Sequence, residues 1–178
     1  MSTKKMTIII DSAESHPWGF KGLKTKVDFD IRWRSLGRHP NSLGDYSVEG
    51  LIGRCHIERK SVADCQSTLL GFGDGHRERF ESELANLSKV ENAVVIVEGS
   101  MQDVCLNPPE FGKKTAENNA KILYQSIIAM QQDHKVGWMF FPSTAIHSSR
   151  HLAQHWAFNY LARAWDHEFG KKKNRRTT

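Results

Sequence analysis

Apolar residues recur along this chain with two periods. Alternation, or a short continuous apolar run, marks a strand; recurrence every three to four residues marks one face of a helix. Thr7 to Ile10 is a β-branched run ending in Asp11 and predicts a buried strand. Val27 to Trp33 alternates and predicts a second. Asp45 to Val48 and Arg54 to Lys60 predict two more, joined through Gly50 and Gly53 as a hairpin. Ala93 to Val97, closed by Glu98-Gly99, is the clearest strand, and Val136 to Phe141 is another, stopped by Pro142.

The helical period takes over between these runs. Ser61 and Asp64 are placed to cap a helix directly after the hairpin. A second helix is predicted from His76 to Leu87, past the Gly-rich stretch Leu69 to Gly75. Ala116 to His134 carries Ala120, Leu123, Ile127 and Met130 along one face. Thr144 to Phe169, rich in Ala and aromatics, predicts a long final helix. Pro17 to Gly22 and Ser35 to Gly44 read as loops, and Gln102 to Lys114, with Pro108, Pro109 and Gly112, as a mobile loop. No internal repeat is visible. This order implies an α/β fold, a central mixed sheet flanked by helices.

Composition narrows the class. The chain has 178 residues, 39% hydrophobic and 25% charged, which suits one globular domain and excludes a largely disordered chain. The expected division is a single domain over residues 1–169 and a basic tail over 170–178. The formal net charge is +5, and Lys171, Lys172, Lys173, Arg175 and Arg176 account for all of it. Such a tail suits a polyanion such as DNA, or serves only as a solubilising terminus. The cysteines Cys55, Cys65 and Cys105 fit no metal-knuckle spacing and read as reduced packing residues. No secretory signal or bilayer-length apolar run is present, so the expectation is a soluble, intracellular protein with no membrane partner.

The chemistry concentrates in Gly44-Asp45 and, thirteen residues after Asp45, Glu58-Arg59-Lys60. Side chains on a strand alternate faces, so Glu58 and Lys60 point one way while Ile57 and Arg59 point the other. With the hairpin paired, Asp45 lies across from them. Two carboxylates and an ammonium on one spot suit metal-assisted phosphodiester hydrolysis, with Mg²⁺ or Mn²⁺ on the carboxylates. Lys60 would then orient or deprotonate water, or stabilise transition-state charge. The same three residues also fit an exposed strand with a surface salt bridge.

The surroundings add a resemblance. Gly44-Asp45-Tyr46 followed by Glu58-Arg59-Lys60-Ser61-Val62-Ala63-Asp64 resembles the XPF family of structure-selective nucleases, members of the restriction-endonuclease-like superfamily, whose pattern is Gly-Asp, spacer, Glu-Arg-Lys-x-x-x-Asp. Ile8-Ile9-Ile10-Asp11-Ser12-Ala13-Glu14 resembles the family's first strand, and Arg79-Phe80-Glu81-Ser82-Glu83-Leu84 its helix after the active site. The resemblance spans roughly residues 7–165.

It implies a Mg²⁺- or Mn²⁺-dependent DNA endonuclease of repair or recombination, acting on branched, flapped or forked DNA. Asp45, Glu58 and Lys60 would be catalytic, and Asp45, Glu58 and Asp11 would hold the metal. Glu14, Arg59 and Asp64 would support the site. Ala13 stands where the family has Arg, which bears most on Glu14. Two alternatives stay open: a non-catalytic DNA-binding subunit of a heterodimer, and a junction-resolving or restriction-type nuclease of the same fold.

Because the last predicted helix lies close to residue 178, the expectation is a minimal nuclease without the tandem helix-hairpin-helix domain of family members with repair roles. The expectation is therefore a homodimer, or a pair with another subunit, joined through the two long C-terminal-half helices. Leu152, Trp156, Phe158, Tyr160, Leu161 and Trp165 spread over more than one stripe of the last. His147, His151 and His155 read as a solvated helix face, and Gly71, Gly73 and Gly75 as a flexible loop near DNA.

Overall fold

Among the described residues, six strands build one mixed sheet: β1 (Met6–Ile10), β2 (Phe29–Trp33), β3 (Tyr46–Val48), β4 (Cys55–Ser61), β5 (Asn92–Glu98) and β6 (Gly137–Phe140). They lie in the order β2-β1-β3-β4-β5-β6. The computed structural model describes residues 5–23, 25–106 and 115–170. The expected hairpin is present, with β3 antiparallel to β4 and Tyr46 opposite Ile57. β1 is antiparallel to β3, while β2 runs parallel to β1 and β4, β5 and β6 run parallel to one another. Val94 to Val97 are all buried, as a strand covered on both faces requires.

Helices cover both faces. Helices α1 (Val62–Leu70), α2 (His76–Leu87), α3 (Met101–Leu106) and α4 (Ala116–His134) lie on one side, and α5 (Ser149–Phe169) on the other. Two buried clusters result. One packs Trp18, Phe20, Tyr46, Ile57 and Ile96 against Ala157, Phe158 and Leu161 of α5. The other packs Val95 and Val97 against Leu69, Leu84, Leu123 and Ile127. The three cysteines are free and buried, as packing residues should be.

Two boundaries depart from the sequence expectation. The stretch from Gln102 was expected to be loop, yet Met101–Leu106 is a helix. Its cause is local: the Asp103 amide donates to Ser100 Oγ at 2.9 Å, and the Ser100 amide donates to Asp103 Oδ2 at 2.7 Å. This reciprocal capping box was legible as Ser-x-x-Asp. Residues 107–114 of the expected loop lie outside the described residues. The last helix starts at Ser149 rather than Thr144, because Ser148 caps it and accepts from the His151 amide. Thr144 instead closes a turn with His147.

Candidate active site

β1 and β4 are each antiparallel to β3, so their C-terminal ends fall on the same edge of the sheet as that of β5. That edge receives Asp11, Glu58 to Lys60 and Glu98, with Asp45 entering at the start of β3. Ligands of open α/β sheets bind outside such carboxyl ends.

Gly44 lets the chain reach the edge. It has φ +86°, and a Cβ there would stand 2.9 Å from the Ile57 carbonyl oxygen, so no other residue fits without moving β4. The Asp45 amide donates to Ile57 O at 2.9 Å, and Asp45 Oδ2 accepts from the Arg59 amide at 2.8 Å. The carboxylate is thereby tied to the strand that carries Glu58 and Lys60.

Glu58 and Lys60 share one face of β4. Lys60 Nζ lies 2.9 Å from Glu58 Oε1 and 4.2 Å from the centre of the Phe80 ring on α2. Both side chains are largely buried, with 6% of Glu58 and 14% of Lys60 exposed. Burial works against the Lys60 charge, but Glu58, Glu83 and Asp45 outweigh it and raise its pKa above the ordinary lysine value. Asp45 is pushed well up from the carboxylate range, first by burial, then by repulsion from Glu58, Glu14 and Glu83.

The fourth carboxylate nearby, Glu83 of α2, was not singled out from sequence. Its Oε1 accepts from Ser42 Oγ at 2.6 Å and from the Gly44 amide at 3.1 Å. Burial, then repulsion from Glu58, pushes its pKa up to about 7. It lines a cavity of about 540 Å³ together with Asp11, Asp45 and Lys60. Only its distance in sequence hid it: it lies 25 residues after Glu58.

Arg59 turns to the opposite face, as alternation requires. Its guanidinium meets Glu98 through Nε at 3.0 Å and Nη2 at 3.1 Å, and Glu14 Oε2 at 3.5 Å. Burial penalises the Arg59 charge, and Glu98 with Glu14 more than compensates, raising its pKa. Glu98 also receives Arg150 Nη1 at 3.0 Å and the Trp18 indole N–H. Glu98 and the half-exposed Arg150 thus form a brace behind the site that sequence reasoning did not assign. Within it the Arg59–Glu98 pair is buried, and losing one partner of such a buried pair costs about 3–5 kcal/mol.

The remaining candidates separate. Asp11 spends both oxygens on backbone amides, Oδ1 on Ala13 and Oδ2 on Leu36, so it shapes the loops around the site. Glu14 accepts from the His16 amide and faces Arg59. Asp64 sits in the first turn of α1, where its amide donates to Ser61 Oγ at 3.1 Å and its Oδ2 accepts from that hydroxyl at 2.7 Å. Lys171, Lys172, Lys173, Arg175 and Arg176 lie outside the described residues. Among the described residues, no three His, Cys, Asp or Glu side chains gather as a ready-made metal cage.

The ERCC4 domain family model matches residues 25–154. The chain belongs to the ERCC4 domain family. XPF from Aeropyrum pernix is similar in structure, with a TM-score of 0.53 and 18% identity, covering 90% of this chain and 70% of that one. That likeness concerns the fold, a mixed sheet flanked by helices. No curated protein sequence matches significantly. Membership of the ERCC4 domain family supports a nuclease-type function. Among the described residues, no helix is long and apolar enough to cross a membrane.

Proposed function

We propose that this chain is a divalent-cation-dependent DNA endonuclease, with branched, flapped or forked DNA as its substrate. The observation that carries the reading is the convergence of Asp45, Glu58 and Lys60 at an open cleft on the sheet edge.

The donor set fits a hard cation. Asp45, Glu58 and Glu83 are oxygen donors; burial first, and then mutual repulsion that Lys60 offsets only in part, push Asp45 and Glu83 up. Mg²⁺ is commonly held by one or two carboxylates, with waters and substrate phosphate completing its shell, so a preformed cage is not needed. Asp45 and Glu58 would hold it, with Asp11 acting through the loops it anchors. When bound, Mg²⁺ or Mn²⁺ supplies Lewis acidity toward the scissile phosphate.

Lys60, an ammonium beside Glu58, is placed to stabilise negative charge developing on the phosphoryl oxygens and to orient the attacking water. Arg59 and Glu98 hold β4 in place from the other face.

The test is cleavage of labelled fork, flap, junction and linear DNA with Mg²⁺, with Mn²⁺ and in EDTA. Cleavage of the branched substrates, lost in EDTA and in Asp45→Asn, is expected. Unchanged cleavage in EDTA would remove the metal, and no cleavage of any substrate would leave a binding subunit instead.

A further inference from the structure

Asp45 and Lys60 stand between two clefts, and the two differ in electrostatics. One, about 790 Å³, is bounded by His16, Arg59, Ser61 and Arg150. Its cations are already engaged: Arg59 by Glu98 and Glu14, Arg150 by Glu98 and by the carbonyls of His16 and Pro17. The other, about 540 Å³, lies between the 37–40 loop and the start of α2, where Arg38, His39, His76 and Arg79 line it together with Asp11, Asp45, Glu83 and Lys60 of the site. Among the described residues neither Arg38 nor Arg79 pairs with a carboxylate, and both are exposed. Their positive charge is therefore available to a ligand.

The walls of this second cleft are held in place. Asp11 takes the Leu36 amide, Asn86 Nδ2 donates to Pro40 O at 2.6 Å, and Glu83 takes Ser42 and Gly44. Gly37 turns so tightly against Asn41 O, at φ +121°, that a Cβ would collide with it. Across the cleft, Arg79 is steadied by the carbonyls of Asp74, at 3.0 Å, and Gly75, at 3.1 Å. Two guanidiniums beside a catalytic group, their charge unmatched by any carboxylate among the described residues, suit phosphate oxygens.

We propose that this cleft is the phosphate subsite flanking the scissile bond, with Arg38 and Arg79 contacting backbone phosphates of the DNA strand on that side only. The inference rests on the nuclease reading and assigns the side from which the strand is gripped.

Neutralising a phosphate releases counterions, so each phosphate that a variant no longer neutralises lowers the slope of log affinity against log salt by about 0.9 on duplex DNA and about 0.7 on a single strand. The experiment measures binding of labelled fork DNA in EDTA across a salt series. It compares the wild type, Arg38→Ala/Arg79→Ala, Arg38→Lys/Arg79→Lys, and Arg163→Ala at the far end of α5. The alanine pair is expected to weaken binding about tenfold at roughly 0.15 M salt and to lower the slope by the equivalent of about one to two phosphates. The lysine pair, which keeps the charge but not the geometry of the Asp74 and Gly75 bonds, should restore the slope, and Arg163→Ala should not change it. An unchanged slope in the alanine pair overturns the subsite. So does failure of the lysine pair to recover it, which would mark Arg79 as a loop brace. A wild type with no salt-dependent DNA affinity would instead overturn the nuclease reading itself.

Discussion

Glu83 Oε1 accepts the Gly44 amide at 3.1 Å, tying the middle of α2 to the residue just before Asp45. A helix that follows the active-site strand thus sets the position of a carboxylate that precedes it. Glu83→Ala removes this tether and the one to Ser42, and is expected to cost about 1–3 kcal/mol. Glu83→Gln keeps an acceptor and loses the charge. The folded-state pKa of about 7 lies above the ordinary glutamate value, so ionised Glu83 opposes folding. Its penalty is absent in acid and grows as pH rises from the ordinary value toward about 7. In EDTA, Glu83→Gln should therefore be the more stable protein at about pH 8 and equal to wild type near pH 4. Urea unfolding at both pH values checks this; a Gln variant less stable in the alkaline sample would show that the carboxylate charge is satisfied.

Lys60→Met should reduce cleavage at least about a hundredfold, the scale of losing one charge-stabilising group. Mn²⁺ binding by calorimetry should persist, because an ammonium is not a cation ligand, whereas Asp45→Asn and Glu58→Gln should weaken it. Wild-type turnover in folded Lys60→Met would place the catalytic charge elsewhere.

His56 lies on β4 two residues before Glu58, fully buried, with Nε2 accepting from the Gly53 amide at 2.7 Å. Nδ1 finds no hydrogen bond of normal geometry, although the Leu43 backbone pulls slightly toward the charged form. Burial pushes its pKa down to about 4. The folded protein thus holds a neutral ring that the unfolded chain protonates near pH 6.5. Its contribution is present above that value and lost as pH falls toward about 4, on the order of 3 kcal/mol. His56→Gln should flatten the acid limb of the stability–pH curve; an identical limb would show that other groups govern it.

A homodimer through the C-terminal-half helices is expected, though the surface differs from the sequence reading. The α5 aromatics Phe158 and Trp165 are buried, and Trp156 and Tyr160 stack on each other at 5.0 Å, half-buried. Of the two long C-terminal-half helices it is α4 that exposes large apolar side chains, Tyr124 at 53% and Ile128 at 40%, one helical turn apart. Light scattering at micromolar concentration should give twice the monomer mass, and Tyr124→Glu/Ile128→Glu should halve it. A wild-type monomer, with and without DNA, would end this proposal.

Local pattern determined much of this protein. Strand alternation alone put Glu58 and Lys60 on one face and Arg59 on the other, because a pleated backbone allows nothing else. Both α2 and α4 begin and end where the apolar period and the neighbouring loops place them. The Ser61 cap of α1 was equally legible, since capping joins near neighbours in sequence. Tertiary structure decided what depends on distant partners. Glu83 joins the site only because α2 packs over the end of β4, and Glu98 with Arg150 braces Arg59 only because β5 and α5 meet behind it. Asp11, a strand-end carboxylate in sequence, is drawn to loop amides that only the folded chain brings to it, one of them 25 residues on. The aromatics of α5 could not be divided between core and surface from their period, because Trp18, Phe20 and Phe29 arrive from the far end of the chain to cover Phe158.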